Sequence, residues 1–236
     1  VQSCHFDFNL NRLERYLVMV AQGGAEPLIL LTKTDLIEPD QLAELRAGIE
    51  NAGIVAPLLP LSTITGKGIE ALQQLLLPGK TYCFVGSSGV GKSTLINQLA
   101  GGERLATRAV SASGEGRHTT VRRELLLLHN GALVIDNPGM REFGILDASD
   151  GIAGGFGDIA GYAARCRYRD CSHTSEPGCA VLAALATGEI NRAHFENFLK
   201  LQGESAFYQL SHAEKRKKDR DFGKFIKSVK KDLKRE

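Results

Sequence analysis

The residues best suited to bind a charged ligand lie between Gly86 and Thr94, in the sequence GSSGVGKST. They follow an apolar run and precede a helical pattern, which is the strand, loop and helix order of the phosphate-binding G-x-x-x-x-G-K-[ST] loop. Glycine lets the main chain curl so that consecutive N–H groups point at a phosphate. Lys92 would bridge the β- and γ-phosphates of a nucleotide, and the Ser93 hydroxyl would ligate Mg²⁺. The expected nucleotide-binding residues here are Gly86, Ser87, Ser88, Gly89, Val90, Gly91, Lys92, Ser93 and Thr94.

A second phosphate-side element is VIDNPG, from Val134 to Gly139. Asp136 ends an apolar strand, at the position where a magnesium water shell needs a negative charge. D-x-P-G alone is often only a turn. Beside a phosphate-binding loop, it predicts that Asp136 holds magnesium and that Gly139 lies at the γ-phosphate.

The choice of base is indicated by TKTD, from Thr32 to Asp35, after the apolar run PLILL. The Asp35 carboxylate would accept hydrogen bonds from the ring N–H and the exocyclic amine of guanine, a pair that adenine lacks. The alternative for Asp35 is a helix N-cap. Lys33 would lay its aliphatic stem over the base, and STITG, from Ser62 to Gly66, would offer N–H groups to the guanine oxygen. The expected base-side residues are Thr32, Lys33, Thr34, Asp35, Ser62 and Thr63.

Hydrolysis needs a group that positions water. Many nucleotide hydrolases use a Gln just after D-x-x-G, where this chain has Met140. Catalysis would therefore use another polar group, a partner's residue, or be slow. The loop GRHTT offers His118 for orienting water, although it could equally be an exposed loop histidine or a partner contact. Thr120, with Thr119 as the alternative, would ligate magnesium.

A metal site is indicated by Cys166, Cys171, His173 and Cys179, with the spacing C-x₄-C-x-H-x₅-C. Three thiolates and one imidazole make a closed tetrahedral set suited to structural zinc. One histidine without a second cluster motif argues against an iron–sulfur site. We expect Cys4 and Cys83, which are isolated, to be structural thiols.

Strand and helix patterns alternate as far as residue 140, which predicts a mostly parallel sheet covered on both faces. After residue 148 come a Gly-rich stretch, the Cys/His cluster and two helices. We expect a first domain over 1–150, a zinc-binding domain over 151–205 and a basic helical tail over 206–236. The predicted helices are 9–22, 40–51, 69–77, 92–100, 180–187 and 192–202, and the predicted strands 27–31, 55–61, 81–85, 121–128 and 132–136.

Charge is unevenly distributed along the 236 residues. Residues 211–236 hold 11 Lys/Arg against 5 Asp/Glu, whereas the rest is mildly acidic. Such a tail suits a polyanionic partner, or is simply a solvated helical face. No apolar run is long enough to span a membrane, and we see no signal peptide. The chain opens without Met at what looks like the end of a strand, so we expect further sequence upstream.

Together these motifs resemble the guanine-nucleotide set of translational and Ras-like GTPases, but in permuted order. TKTD and STITG precede the phosphate loop instead of following it, and a short link over 77–80 joins them to it. Permutation leaves a site intact when the original ends lie close in space. With GRHTT, DNPGMREFG and the Cys/His module, residues 1–205 are similar to the ribosome small subunit-dependent GTPase A family (RsgA/YjeQ).

The resemblance implies an α/β P-loop NTPase fold: a circularly permuted Ras-like GTPase domain followed by a small, mostly helical zinc-binding domain. It implies a bacterial cytoplasmic enzyme that hydrolyses GTP to GDP late in small ribosomal subunit maturation, stimulated by that subunit and touching its rRNA. It also supports His118, and the same four zinc ligands. Two features depart from the family pattern: these residues include none that we expect to form the OB-fold domain that precedes the GTPase in family members, and Thr32 stands in place of the commoner Asn. The alternative function is a nucleotide-gated scaffold with negligible hydrolysis; we expect a monomer.

Overall fold

The computed structural model describes residues 1–5, 8–102, 124–136 and 149–211, together with Glu214, Lys217 and Arg220. Several residues singled out above lie outside this set, and what we expect of them stays a prediction. They are His118, Thr119, Thr120, Gly139 and Met140.

Strands and helices alternate through the first part of the chain. The strands are β1 (Gln2–Ser3), β2 (Ile29–Thr32), β3 (Leu58–Pro60), β4 (Thr81–Phe84), β5 (Glu124–Leu127) and β6 (Leu133–Asp136). The helices are α1 (Leu10–Gln22), α2 (Pro39–Asn51), α3 (Ile69–Leu75), α4 (Lys92–Leu99), α5 (Ser149–Gly155), α6 (Gly157–Ala163), α7 (Ala180–Thr187) and α8 (Arg192–Gln209). Each predicted element is present where the structure describes it, with ends shifted by a few residues.

The described strands form two three-stranded sheets, with the orders β1-β2-β3 and β4-β6-β5. All pairs are parallel except β5 with β6. The sheets adjoin where the main-chain nitrogen of Val1 donates to the Val85 carbonyl at 2.7 Å. One apolar cluster crosses this seam, since it contains Leu30 of β2 and Phe84 of β4 together with Leu95 of α4. The mostly parallel sheet predicted from the sequence is thus confirmed.

Helix α1 packs against two cores. The Asn9 side chain caps its start by accepting from the Arg12 N–H at 2.9 Å, as expected of an Asn before a helix. Leu13 and Leu17 pack into the cluster beside β2 and α2. Val18 packs instead into a second core formed by α5 to α8. One helix therefore joins the nucleotide-side elements to the Cys/His module.

Two short helices, α5 and α6, arise from the Gly-rich stretch that we did not predict to be helical. Glycine disfavours helices because it loses much chain entropy. In α5, however, a Cβ on Gly151 would lie 2.5 Å from the Val18 carbonyl, and one on Gly155 would lie 2.8 Å from the Val18 side chain. Close contact with α1 therefore requires glycine at these two positions of α5.

The last described helix and one thiol also differ from expectation. Helix α8 continues to Gln209 rather than 202, because Ser205 is buried and Glu204 pairs with Arg15 of α1. We expected Cys4 and Cys83 to be structural thiols; Cys4 is buried, but Cys83 is exposed because it lies on the face of β4 opposite Phe84. None of the described helices is both long and apolar enough to cross a membrane.

Candidate functional site

The loop from Val85 to Gly91 joins β4 to α4 and contains most of the predicted phosphate-binding residues. A Cβ on Gly86 would lie 2.3 Å from the Val1 carbonyl oxygen, so only glycine fits where β4 meets β1. Gly91 caps the start of α4 with a φ of 97°, a conformation that side chains disfavour. An anion held by this loop would lie at the start of α4, where the positive end of the helix stabilises negative charge.

Lys92 is the first residue of α4, and its side chain folds back over the loop. Its Nζ donates to the Gly86 and Ser87 carbonyls, both at 2.7 Å. Burial lowers the pKa of Lys92, and the charge of Asp136 partly opposes that shift. The ammonium lies where anionic phosphate oxygens would compete for it.

Asp136 belongs to the second phosphate-side element and lies close to Lys92. It ends β6, which pairs in parallel with β4 so that Phe84 and Asp136 are neighbours. Its side chain is buried, at 4% exposed. A buried carboxylate beside Lys92 is an arrangement expected of a hard-cation ligand at the edge of a parallel sheet.

Thr32 ties the base-side strand to the phosphate loop. Its buried hydroxyl lies 2.6 Å from the Val90 carbonyl and 3.2 Å from the Gln2 carbonyl, so it donates chiefly to Val90. Val90 lies 58 positions away in sequence. The hydroxyl of Thr32 thereby supplies a donor where the commoner Asn would supply an amide, and TKTD and GSSGVGKST are brought together.

Removing this hydroxyl should loosen the nucleotide site. Thr32→Val keeps the shape of the side chain but leaves the Val90 carbonyl without its donor, which costs about 1–3 kcal/mol for a buried group. We expect GDP affinity to fall several-fold in Thr32→Val and to be retained in Thr32→Ser. Equilibrium titration with a fluorescent GDP analogue measures this, and equal affinities for the two variants would remove Thr32 from the site.

Asp35 is positioned by the second base-side motif. The Ser62 hydroxyl donates to Asp35 Oδ1 at 2.5 Å and accepts from the N–H groups of Ile64 and Thr65 at 3.2 and 3.1 Å. Ser62 is fully buried, whereas Asp35 is exposed at the rim. Lys33 precedes it in a left-handed conformation with φ of 61°. The two motifs therefore form one base-side unit with an accessible carboxylate.

The Cys/His cluster is assembled with metal-binding geometry. The four ligand atoms of Cys166, Cys171, His173 and Cys179 lie within 4.8 Å of one another. Cys166 Sγ is 3.8 Å from Cys179 Sγ, and His173 Nδ1 is 3.6 and 3.4 Å from these two sulfurs. A tetrahedral zinc ion with usual bond lengths gives sulfur–sulfur edges of about 3.8 Å and sulfur–nitrogen edges of about 3.6 Å. The cluster could thus hold one zinc ion.

The loop that carries His173 is fixed by one carboxylate. Glu176 accepts from the Ser172 N–H at 2.8 Å and from the Thr174 N–H at 3.1 Å, on either side of His173. The Ser172 hydroxyl and the Ser172 and Ser175 N–H groups hold the pKa of Glu176 well below its ordinary value. Between these two bonds, His173 has a left-handed backbone with φ of 59°.

Comparison with known proteins decides the family. Residues 1–146 match the family model described as RsgA GTPase. The chain belongs to the RsgA GTPase family. Small ribosomal subunit biogenesis GTPase RsgA 2 of Listeria monocytogenes is 46% identical over 209 residues, 88% of this chain and 60% of that protein. The protein of the same name from Vibrio parahaemolyticus is 41% identical over 233 residues, 97% of this chain and 64% of that protein.

Solved structures agree with this assignment. The crystal structure of YjeQ from Thermotoga maritima has a TM-score of 0.66 at 28% identity, covering 87% of this chain and 69% of that one. YloQ, described as a circularly permuted GTPase, has a TM-score of 0.64 at 28% identity, covering 89% of this chain and 68% of that one. The fold of this RsgA-family chain is therefore a circularly permuted GTPase fold, as predicted, and the chain spans about 60% of the length of its first relatives.

In this RsgA-family chain, a buried polar network between α1 and α8 was not predicted from the sequence. Glu14 of α1 is fully buried and lies 2.6 Å from His194 Nδ1, while His194 Nε2 lies 3.1 Å from Asp158 Oδ1. Asn197 also donates to Glu14. The sequence signal was available, since Glu14 falls on the apolar face of α1 between Leu13 and Leu17. Such a charge is tolerated inside only when paired.

This network should make stability depend on pH. Burial alone would lower the pKa of His194, but the bonds and charges of Asp158 and Glu14 outweigh it and raise the pKa from 6.5 to about 9. The folded state then binds a proton that the unfolded chain releases above pH 6.5. Stability from this source is complete below that pH and is lost as the pH rises through 9.

We expect the free energy of unfolding to fall by on the order of 2–3 kcal/mol across this window. Urea denaturation at a series of pH values measures it. His194→Gln should flatten the dependence, whereas His129→Gln, which changes an exposed histidine, should leave it intact. A slope that survives His194→Gln would assign the effect to other groups.

Proposed function

We propose that this chain binds GTP, hydrolyses it to GDP and phosphate, and thereby acts in late maturation of the small ribosomal subunit. The observation that carries the proposal is the bond from the Thr32 hydroxyl to the Val90 carbonyl, because it joins a guanine-type motif to a phosphate loop. Both relatives described above carry the name small ribosomal subunit biogenesis GTPase, which supports the choice of pathway.

Guanine recognition falls to Asp35. With Oδ1 held by Ser62, the exposed carboxylate would accept from the ring N–H and the exocyclic amine of the base. Lys33 would cover one face of the ring with its aliphatic stem. Thr34 and Thr63 adjoin these residues, and we propose that their main chain completes the base side of the site.

Phosphate binding falls to residues 86–94. The amides of the loop and the start of α4 would hold the β-phosphate, and Lys92 would leave the Gly86 and Ser87 carbonyls to bridge the β- and γ-phosphates. The donor set of Ser93, Asp136 and Thr120 consists of hard oxygen atoms, which suits Mg²⁺. When bound, this ion would neutralise charge that develops during phosphoryl transfer.

Water positioning falls to His118, because Met140 occupies the place of the usual Gln and cannot hydrogen-bond usefully. We expect His118→Ala to lower kcat about 10²- to 10⁴-fold, the usual range for a positioned acid–base group, with GTP affinity nearly unchanged. Single-turnover hydrolysis and equilibrium binding separate the two quantities. Normal subunit-stimulated turnover in His118→Ala would refute this role.

Contact with rRNA is proposed for the basic surface beside the metal cluster. Arg165, Arg167 and Arg169 are exposed. The Arg165 guanidinium lies 4.4 Å from the centre of the Tyr162 ring, and Arg167 lies 5.5 Å from that of Tyr168. Arginine on aromatic rings presents charge to phosphates and a flat surface to unpaired bases. The basic residues over 211–236 would add counterion release.

We propose domain boundaries, a cellular location, an oligomeric state and a role for zinc together with this function. We place the GTPase domain over 1–150, the zinc-binding domain over 151–205 and a basic tail after it, although α8 crosses the last boundary. We propose that the protein works in the cytoplasm as a monomer, and that its zinc is structural because the four ligands leave no open position for water.

The proposal is tested by multiple-turnover GTP hydrolysis across a titration of purified small ribosomal subunits. We expect slow turnover alone, a rise that saturates with subunits, and no comparable rise with large subunits. ATP at equal concentration should be a poor substrate. Failure of small subunits to stimulate turnover by a protein that binds GTP would reject the ribosomal part of the proposal.

A further inference from the structure

Arg12, on the first turn of α1, reaches the phosphate-binding loop. Its Nη1 donates to the Ser87 hydroxyl at 3.0 Å, although the two residues are 75 positions apart. The carbonyl of the same serine accepts from Lys92 Nζ at 2.7 Å. Ser87 is thus held by two cations, one from α4 inside the loop motif and one from a helix outside it.

The next part of α1 is fastened to α8. Arg15 and Glu204 form two parallel bonds of 2.7 and 2.6 Å, the fork geometry that fixes orientation as well as distance. Glu14 is buried against His194 and Asn197. Arg12 and Arg15 are three residues apart and therefore lie on one side of the helix. Sliding or rotating the segment that presents Arg12 would break the bonds to α8.

We propose that Arg12 is a positioning residue for the phosphate-binding loop, and that the pairing of α1 with α8 holds Arg12 against Ser87. The inference rests on the proposed binding of GTP, because it concerns the same loop. It extends that function because α8 belongs to the Cys/His module, so contacts made by that module would affect nucleotide affinity.

Arg12 would be needed because Lys92 has two roles: it bonds to the loop carbonyls now, and it would bind phosphates when nucleotide is present. Phosphates would draw its ammonium away from the Gly86 and Ser87 carbonyls, so Ser87 would lose its bond to Lys92 as nucleotide binds. The bond from Arg12 to the Ser87 hydroxyl does not depend on Lys92 and would maintain the loop conformation. The guanidinium also places a permanent positive charge beside a loop that binds anions.

The first test compares Arg12→Ala with Arg12→Lys and with Arg46→Ala, which removes the same charge from an exposed position on α2. We expect the Kd for GDP to rise about tenfold in Arg12→Ala, the scale of one hydrogen bond to a charged group, and to recover partly in Arg12→Lys. Arg46→Ala should be unchanged. KM for GTP should rise with little change in kcat, because the loop conformation would stabilise bound GTP and the transition state equally.

The second test is a double-mutant cycle with Glu204→Gln, which weakens the fork to Arg15 without touching the loop. We expect the Kd for GDP to rise about threefold in the otherwise unchanged protein and not at all in the Arg12→Ala background. Thermal unfolding without nucleotide checks that each variant is folded.

The outcomes separate this inference from the proposed function. A protein that does not bind GTP at all would reject the function. A protein that binds GTP but has the same Kd in Arg12→Ala as in Arg46→Ala would overturn the role of Arg12. Equal effects of Glu204→Gln in both backgrounds, or none in either, would overturn the role of α8.

Discussion

Asp35→Asn should change the preferred nucleotide from GTP to XTP. Xanthine carries a carbonyl where guanine carries its exocyclic amine, so the base side of the site must donate rather than accept at that position. Asn keeps the size of Asp and keeps an oxygen to accept from the Ser62 hydroxyl, which now lies 2.5 Å from Asp35 Oδ1. Its amide nitrogen would face the base as the new donor.

The expected size of this effect follows from the bonds that are lost. The carboxylate would accept two hydrogen bonds from guanine, each worth about 1.5–3 kcal/mol because one partner is charged. GTP affinity should therefore fall on the order of 10²–10³-fold, while XTP affinity rises.

Competition binding with GTP, XTP and ATP measures this change in nucleotide preference. Asp40→Asn is the matched control, since it neutralises an exposed carboxylate in the first turn of α2, five positions away in sequence. It should leave the order of preference unchanged. An Asp35→Asn protein that still prefers GTP would remove Asp35 from base recognition, and with it the interpretation of TKTD.

Loss of the metal should unfold the module formed by α5 to α8. Free energy of metal binding is folding free energy in such sites, about 10–16 kcal/mol for structural zinc. We expect Cys179→Ser to abolish stoichiometric zinc and to remove helical circular dichroism, with new proteolysis after residue 149. Chelation of the unmodified protein should do the same.

Serine at position 179 makes this a selective test. Cys179 Sγ now accepts from the Leu182 N–H at 3.4 Å and so caps α7. A serine hydroxyl can take over that cap but is a poor zinc ligand. Cys83→Ser, which changes an exposed thiol outside the cluster, should keep one zinc per chain. A Cys179→Ser protein with undiminished helix content would show that the apolar core around Phe156 and Leu201 suffices without metal.

Local pattern predicted most of the fold and identified the residues of the candidate site. The phosphate loop, TKTD and the Cys/His set can be recognised in the sequence because each depends on spacing within one short segment. Strand and helix periodicity likewise identified β2, α1 and α4 without any tertiary information.

The features that were missed depend on distant contacts. The glycines of α5 indicate a loop until α1 is known to lie against them. Helix α8 extends beyond 202 because Glu204 meets Arg15, 189 positions away. The Arg12 bond to Ser87 has no local signature, since arginine on the first turn of a helix is ordinary.

The proposed function requires that one nucleotide span Thr32–Asp35 and Gly86–Ser93. A crystal structure of the chain with GDP and Mg²⁺ tests this directly. We expect the guanine edge within hydrogen-bonding distance of the Asp35 carboxylate, and the β-phosphate of the same molecule on the amides that precede Lys92. A nucleotide whose phosphates occupy that loop while its base lies away from Asp35 would contradict this arrangement.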